Sequence, residues 1–229
     1  MGFPGRIVNR TEAGRLLGEK LRGYAGRNDV IVLALPRGGV PVGYEIAKAI
    51  GAELDVFFVR KIGVPGFPEL AMGAMASGGM PALNVQMVEE FGLSKEQVEA
   101  AILAGQREMA RQEAAYRGRR PPLELKGKTV ILVDDGIATG YTIRAAAEAA
   151  RRMGAARVVV ATGAAPVSTC ERLQSEVDEV VSLITAQDFR AVGNYFEDFS
   201  QVSDEEVKRL LGKDTKAGVI QSTEPSFGD

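Results

Sequence analysis

Apolar runs alternate with helix-patterned segments along much of the chain. Strands are predicted over residues 29–35, 54–59 and 157–162, where apolar residues follow one another without the polar alternation of a half-exposed strand. Helices are predicted over residues 11–24, from the spacing of their apolar positions, and over residues 42–50, which a glycine follows. Strand and helix alternate as in βαβ units, so the sequence predicts an α/β fold with a parallel sheet.

The pattern at residues 129–142 carries the most chemistry. An apolar run from Val130 to Val133 ends in two adjacent acids, Asp134 and Asp135, and a helix is predicted to begin at Tyr141. The acids therefore follow a buried strand, at the edge where open α/β sheets bind ligands. Backbone N–H groups and hydroxyls at a helix N-terminus attract anions. The residues that offer them are Gly136, Ala138, Thr139, Gly140 and Thr142. Together the segment predicts a ribose-phosphate site.

The remaining segments complete the predicted domain. A long helix is predicted from Leu93 to about Gly118, with Ser94 and Gln97 as a capping box. Residues 177–184 add a fifth strand, and a short helix is predicted from Asp204 to Leu211. Residues 61–81 are dense in glycine and proline, which predicts a loop with a short hairpin from Leu70 to Ala76.

Composition excludes several kinds of chemistry. The 229 residues contain no histidine and one cysteine, so Ser-His-Asp, Cys-His and His-ligated zinc machinery are impossible. Cys170 cannot form an internal disulfide, which is consistent with the reducing cytoplasm in which we expect the protein. The net charge of −2 gives no general attraction to nucleic acid or to membranes. No apolar stretch reaches transmembrane length.

The arginines of the long helix have two interpretations. They could form a basic patch for nucleic acid, or they could be a solvated helix face balanced by Glu108 and Glu113. We favour the second interpretation, because among aromatic residues only Tyr116 lies between them. The arginines are Arg107, Arg111, Arg117, Arg119 and Arg120.

The apolar strand, the acid pair and the closing Thr-Gly-x-Thr resemble the signature of type I phosphoribosyltransferases. The resemblance implies the fold of that family, a central parallel sheet flanked by helices with a small hood. It also implies that Asp134 and Asp135 hold the ribose hydroxyls of phosphoribosyl diphosphate, while the loop up to Thr142, with Tyr141, binds the 5′-phosphate. A buried strand with an N-cap Asp and a tight turn would explain one acid and the glycines, but not the second acid and two threonines.

A second loop has the position of the diphosphate loop of that family. Arg37, Gly38 and Gly39 follow the first strand and open a helix, so a guanidinium and backbone N–H groups can approach phosphate oxygens. In the family this loop often contains a strained or cis peptide, and a basic residue after the next strand assists it. The resemblance gives that role to Arg60 and Lys61. Their alternative interpretation is a charged strand exit.

The resemblance also assigns the segments around the acceptor. Residues 62–81 correspond to the flexible loop that closes over the site, with a rigid surface excursion as the alternative, and Glu69 within them is a speculative acid or base. In the 6-oxopurine branch the position of Ala138 is an Asp that handles a base proton, so Ala138 disfavours that route. Orotate, adenine and uracil remain open as acceptors.

The domain is predicted to span residues 1–212, with a core of about residues 25–165 and a hood of about residues 166–200 together with the N-terminal segment. The tail, residues 213–229, is predicted to be disordered. Hood aromatics could stack on a base, and Phe189 is the candidate, although a small satellite core explains them as well. These aromatics are Phe189, Tyr195, Phe196 and Phe199.

The function expected from the resemblance is transfer of phosphoribosyl from phosphoribosyl diphosphate to a nitrogenous base, with release of diphosphate. Mg²⁺ would be held mainly by the substrate, with Asp134 and Asp135 as contacts through water. Asp134, Asp135, Arg37 and Lys61 are the expected catalytic residues. The alternatives are a regulator that senses phosphoribosyl diphosphate and a phosphatase or diphosphokinase-like enzyme. We expect no nucleic-acid or membrane partner, and a homodimer is left open.

Overall fold

The computed structural model describes residues 5–78, 81–118 and 120–212. Its main sheet has five parallel strands, as predicted, and their order is β2-β1-β6-β7-β8. The strands are β1 (Val30–Ala34), β2 (Glu53–Val56), β6 (Thr129–Gly136), β7 (Arg157–Pro166) and β8 (Glu179–Ala186). Because β1 and β6 lie inside the sheet, all their apolar residues are buried, which explains their continuous apolar runs.

Helices cover both faces of this sheet. The described residues form the helices α1 (Arg10–Lys20), α2 (Gly39–Ile50), α3 (Val85–Glu90), α4 (Lys95–Arg117), α5 (Tyr141–Arg152), α6 (Val167–Gln174) and α7 (Asp204–Leu211). Alternate residues of β1 divide between two apolar cores, so Val32 packs with α1 and α2 residues while Leu33 packs with α5 residues. The capping box of α4 is present, and α2 ends at Gly51 with φ of 68°.

The glycine-rich segment after β2 differs from its prediction. It forms a three-stranded antiparallel sheet of β3 (Val59–Val64), β4 (Phe67–Ala76) and β5 (Pro81–Leu83). The loop predicted over residues 61–81 is therefore wrong where these strands lie, and so is the hairpin from Leu70 to Ala76, which is part of one strand. Register shifts at Ile62–Val64 interrupt the pairing of β3 with β4. Met72 and Met75 are both buried, three residues apart, so the alternating pattern that predicts a strand is lost. Residues 79 and 80 lie outside the described residues.

The main sheet extends beyond the expected core boundary at residue 165. α6 and β8 follow it, and β8 pairs with β7 up to Ala186. The segment outside the sheet therefore starts after residue 186. It is joined to the N-terminal segment by a bridge between Ile7 and Phe196, with Ile7 N donating to Tyr195 O at 2.9 Å.

The arginines of α4 agree in part with the interpretation of a solvated helix face balanced by glutamates. Arg111 is paired with Glu108 at 2.6 Å, and Arg117 is paired with the buried Asp55 at 3.1 Å. Arg119 and the predicted disordered tail, residues 213–229, lie outside the described residues. Within the described residues, the helices lack the length and apolar character needed to cross a membrane.

Candidate functional site

The acid pair lies at the carboxyl end of β6. Asp134 is half-buried, and Asp135 is buried at 8% exposure. Asp135 N donates to Asp134 Oδ1 at 2.9 Å. Burial raises the pKa of Asp134 well above its usual value, and the neighbouring Asp135 carboxylate raises this pKa further. Two carboxyl groups are thus held close together at the ligand-binding edge of the sheet, at a cost in electrostatic energy.

Asp135 is fixed from several sides. Arg10 Nε donates to Asp135 Oδ2 at 2.7 Å, and both side chains are 12% exposed. A Cβ added to Gly38 would lie 2.1 Å from the same carboxylate oxygen, and one added to Gly163 would lie 2.6 Å from the backbone oxygen of Asp135. Glycine at both positions therefore allows the surrounding backbone to approach this acid closely. Arg10 was not among the predicted site residues, since nothing in the local sequence pattern connects positions 125 residues apart.

The loop after the acids leads directly into α5. Gly140 precedes the helix with φ of 81°, a left-handed conformation that favours glycine. Ala138 and Thr139 are exposed, whereas Ile137 is buried and donates its N–H to Ala164 O at 2.9 Å. The loop thus presents small residues to solvent at a helix N-terminus, where an anion is favoured.

Neighbouring elements hold this loop in place. Thr169, buried on α6, donates from Oγ1 to Ala138 O at 2.9 Å. A Cβ added to Gly136 would lie 2.1 Å from Val192 Cγ1, so the strand end is closely covered by the segment outside the sheet. Tyr141 is 71% exposed and Thr142 is also exposed, which leaves both side chains accessible at the start of α5.

The predicted diphosphate loop lies against the end of β6. The Pro36–Arg37 peptide bond is cis, the arrangement that the resemblance describes for this loop. Gly39 N donates to Leu35 O at 3.0 Å, and a Cβ on Gly39 would lie 2.5 Å from Val133 O. Since Gly38 also contacts Asp135, the structure brings the two predicted loops together.

A cavity of about 260 Å³ lies beside the diphosphate loop and the start of α5. It is lined by Leu35, Pro36, Arg37, Phe57, Phe58, Val59, Gln112, Tyr116 and Thr142. A larger cavity of about 870 Å³ lies along β2, beside Asp55 and the arginines paired with it, and shares only Tyr116 with the first among their lining residues. We assign the site to the smaller cavity because it joins Arg37 to Thr142, the ends of the two predicted phosphate-binding elements.

Arg37 is oriented by the C-terminal helix. Its Nη1 lies 3.4 Å from Asp204 Oδ1, and Tyr116 OH donates to the same oxygen at 2.5 Å. Burial and, second, the bond to Asp204 raise the pKa of Tyr116 to about 12. Tyr116 also stacks on Phe58, with ring centroids 5.8 Å apart. A network of α4 and α7 side chains thus reaches the predicted diphosphate loop.

Arg60 and Lys61 lie in a different setting from the one predicted. Both are exposed residues of β3 in the small sheet, and Phe57 and Phe58 separate β3 from the end of β2. The charge of Arg60 contributes to lowering the pKa of Glu108, after the larger effect of a hydrogen bond from Arg111. Arg60 is therefore close to α4.

The hood aromatics form two pairs. Phe189 stacks on Tyr195, with ring centroids 4.8 Å apart, and Phe196 contacts Phe199 at 5.1 Å. Phe196 is 1% exposed and belongs to the main core, so the packing interpretation holds for that residue. Phe189 is half-buried, and Glu69 is an exposed residue of β4.

The described residues contain no group of three or more cysteine, aspartate or glutamate side chains arranged to hold a metal ion. The acid pair offers two carboxylates, of which Asp135 is already bound by Arg10. Hard oxygen donors of this kind fit Mg²⁺ that brings most of its ligands with it, as waters or substrate oxygens.

Known proteins match most of this chain in sequence. The model of the phosphoribosyl transferase domain matches residues 8–197. A Mycobacterium tuberculosis H37Rv protein, "Putative phosphoribosyl transferase Rv0571c", is 42% identical over 205 residues, which are 90% of this chain and 46% of that protein. The chain thus spans about half the length of the curated relatives it matches.

Two further relatives differ in their sequence identity to this chain. The crystal structure of TT1426 from Thermus thermophilus is 43% identical, with a TM-score of 0.77 over 90% of this chain and 97% of the other. A ribose-phosphate pyrophosphokinase of Thermococcus kodakarensis is 27% identical over 180 residues, 78% of this chain and 46% of that protein. The acid pair and the two loops are consistent with these matches. The family model and the relatives show that the chain belongs to the phosphoribosyl transferase family and has the type I fold.

Proposed function

We propose that the protein binds phosphoribosyl diphosphate and transfers its phosphoribosyl group to a nitrogenous base. The observation that carries the proposal is the contact between the two loops. Gly38, next to Arg37, lies against the carboxylate of Asp135, and the cavity beside them extends to Thr142. Groups suited to a diphosphate, to ribose hydroxyls and to a phosphate thus adjoin one another in the order in which they occur in this ligand.

Each part of the ligand has a proposed partner. Asp134 and Asp135 accept hydrogen bonds from the ribose hydroxyls, and the N–H groups from Ala138 to Thr142 bind the 5′-phosphate. Arg37 and the N–H groups of Gly38 and Gly39 bind the diphosphate. Lys61 and Arg60 assist from the strand that begins at Val59, which lines the cavity.

The reaction breaks the bond from ribose C1′ to the diphosphate oxygen and forms a bond from C1′ to a base nitrogen, with inversion. Positive charge develops on the ribose as the diphosphate leaves. The carboxylates of Asp134 and Asp135 stabilise that charge, while Arg37 and Lys61 stabilise the negative charge of the leaving group. Positioning and electrostatics therefore provide most of the catalysis.

Mg²⁺ fits the proposed site as an ion bound with the substrate. Asp134 and Asp135 would contact it through water, and it would neutralise charge on the diphosphate. The acceptor is a nitrogenous base whose reaction needs no proton-transferring side chain at position 138, where Ala138 has only an exposed methyl group. Phe189 is a candidate stacking surface for that base.

The experiment is Mg²⁺-dependent binding of phosphoribosyl diphosphate, measured by calorimetry, for the wild-type protein and for Asp134→Asn/Asp135→Asn. We expect the double variant to lose at least about tenfold in affinity, since it removes two charge-assisted acceptors. Asp29→Asn is the matched control, because Asp29 directly precedes β1, has a side chain that is 46% exposed, and lies beside Thr129 at the opposite end of β6. Equal affinity of the double variant and the wild type would exclude the proposed ribose site.

A screen of nitrogenous bases for diphosphate release then identifies the acceptor. Release with one base establishes transfer. Binding of phosphoribosyl diphosphate without release for any base would instead favour the sensing regulator.

A further inference from the structure

Arg10 contacts both the acid pair of the candidate site and the segment that follows β8. Its Nε donates to Asp135 Oδ2 at 2.7 Å, and its Nη1 donates to Ser200 O at 2.7 Å. The guanidinium carbon lies 4.0 Å from the centroid of the Phe199 ring. With a side chain only 12% exposed, Arg10 is built into the structure and is not a mobile surface charge.

The charge of Arg10 matters because of what surrounds it. Asp134 and Asp135 place two carboxyl groups side by side, and the proposed ligand carries several negative charges of its own. A cation held 2.7 Å from one carboxylate offsets part of this repulsion in a partly buried environment, where screening by water is weak. The ion pair therefore favours the approach of an anionic ligand to the acid pair.

The geometry of the pair leaves Asp135 able to bind a ligand. A carboxylate has about four acceptor positions, and the Arg10 bond uses one of them, on Oδ2. Gly38 approaches the same oxygen, so the crowded side of the carboxylate faces the diphosphate loop and Arg10. A ribose hydroxyl can donate to the remaining positions of a carboxylate whose orientation is already fixed.

Arg10 also connects the acid pair to a distant part of the chain. Its contacts with Ser200 and Phe199 join α1 to the segment that follows β8, and Ile7 pairs with Phe196 of the same segment. Displacement of the Asp135 carboxylate would therefore disturb this junction.

We propose that Arg10 is a positioning residue of the ribose site, which orients the Asp135 carboxylate for a ligand hydroxyl and offsets its charge. This inference rests on the proposed function, because the hydroxyl belongs to phosphoribosyl diphosphate. Arg10 acts through Asp135 and through the segment at Phe199 and Ser200, without a bond of its own to the reacting atoms.

The test compares three single variants of the full chain in calorimetric titrations with Mg²⁺ and phosphoribosyl diphosphate. Arg10→Gln is expected to weaken binding at least about tenfold, the scale seen when a group that orients a ligand-binding side chain is removed. Arg10→Lys keeps the charge but loses the planar fork, so it should bind with intermediate affinity. Arg15→Gln is the matched control on the same helix, since Arg15 is 70% exposed and pairs with Glu45, and should bind as the wild type does.

A double-mutant cycle with Asp135→Ala separates positioning from general structural damage. If Arg10 acts through Asp135, Arg10→Gln should change the affinity less than about twofold once Asp135 is alanine. A similar loss in both backgrounds would overturn the inference. Binding by Arg10→Gln that equals or exceeds that of the wild type would also overturn the inference. Tighter binding would mean that Arg10 competes with the ligand for Asp135.

Folding and the proposed function are controlled separately. Circular dichroism and thermal melting test whether each variant is folded. If Arg10→Gln is not folded, Arg10→Lys takes its place, and an affinity equal to that of the wild type overturns the inference. Failure of the wild type to bind phosphoribosyl diphosphate overturns the proposed function and this inference with it. Wild-type binding without an effect at Arg10 overturns the inference alone.

Discussion

Replacement of Gly38 by alanine tests how closely the diphosphate loop is packed against the acid pair. The added Cβ would lie 2.1 Å from Asp135 Oδ2 and 2.6 Å from Asp135 Cγ, well inside van der Waals contact. The carboxylate cannot simply rotate away, because Arg10 holds Oδ2 at 2.7 Å. Gly38 has φ of −62° and ψ of −33°, which alanine adopts freely, so the cost is steric and not conformational.

We expect Gly38→Ala to lower the free energy of unfolding by about 2 kcal/mol, within the range of overpacked sites. The measurement is equilibrium unfolding in urea, with binding of phosphoribosyl diphosphate measured in parallel and expected to weaken. Gly23→Ala is the matched control, because a Cβ there meets nothing within 4 Å, and its effect should stay within about 0.5 kcal/mol.

The source of the clash can be tested in two further backgrounds. In Asp135→Ala the carboxylate is absent, so Gly38→Ala should cost less than about 0.5 kcal/mol there. In Asp135→Asn the side chain keeps its shape, so the full cost should remain. A cost below about 0.5 kcal/mol in the wild-type background, or an equal cost in the Asp135→Ala background, would refute the steric explanation.

Three other predictions follow from charges described above. Asp55→Ala should lower the free energy of unfolding in urea by about 3 kcal/mol, because it leaves a buried guanidinium charge unpaired. Asp29→Ala removes an acid from an exposed ion pair and should lower it by less than about 1 kcal/mol. Similar losses for the two variants would contradict the expectation that burial sets the cost. Asp134→Asn should raise the melting temperature at pH 7 while weakening ligand binding. The raised pKa of Asp134 means that its contribution to stability falls as pH rises through the folded-state value, and Asn removes that effect; a lower melting temperature would refute this. Tyr116 should ionise near pH 12 in an ultraviolet titration, so its contribution to stability is present below pH 10 and lost as the pH rises towards 12. Asp204→Asn should lower that pKa, and an unchanged titration would exclude the hydrogen bond as a cause.

The main sheet was predictable because its inner strands are buried on both faces. Continuous apolar runs such as Val130 to Val133 reflect this burial, whereas the edge strand β8 is mostly half-buried and has a weaker apolar pattern. The acid pair and the glycine loop could also be located, since the acids lie at the carboxyl end of β6 and the glycines follow β1 closely. Their positions depend on local sequence order and on the rule that parallel strands end at one edge.

The small sheet was not predictable in the same way. β4 contains Gly73, where a Cβ would lie 2.4 Å from Ala82 O, so a residue that usually indicates a loop is here required by close strand packing. Long-range partners were equally inaccessible. Arg10 contacts Asp135 across 125 positions, and Asp204 contacts Arg37 across 167, and neither pair has a local signal in the sequence.

The pairing of Ile7 with Phe196 affects when the nascent chain can complete its ligand-binding edge. During synthesis, a nascent chain that has reached the end of β8 already contains every strand of the main sheet. It lacks Phe199 and Ser200, against which Arg10 packs, and it lacks Asp204, which contacts Arg37. Such a chain could pair the strands of its main sheet, but it lacks the core residue Phe196 and its ligand-binding edge stays incomplete. Competence to bind is therefore acquired late, when residues near both ends of the domain meet.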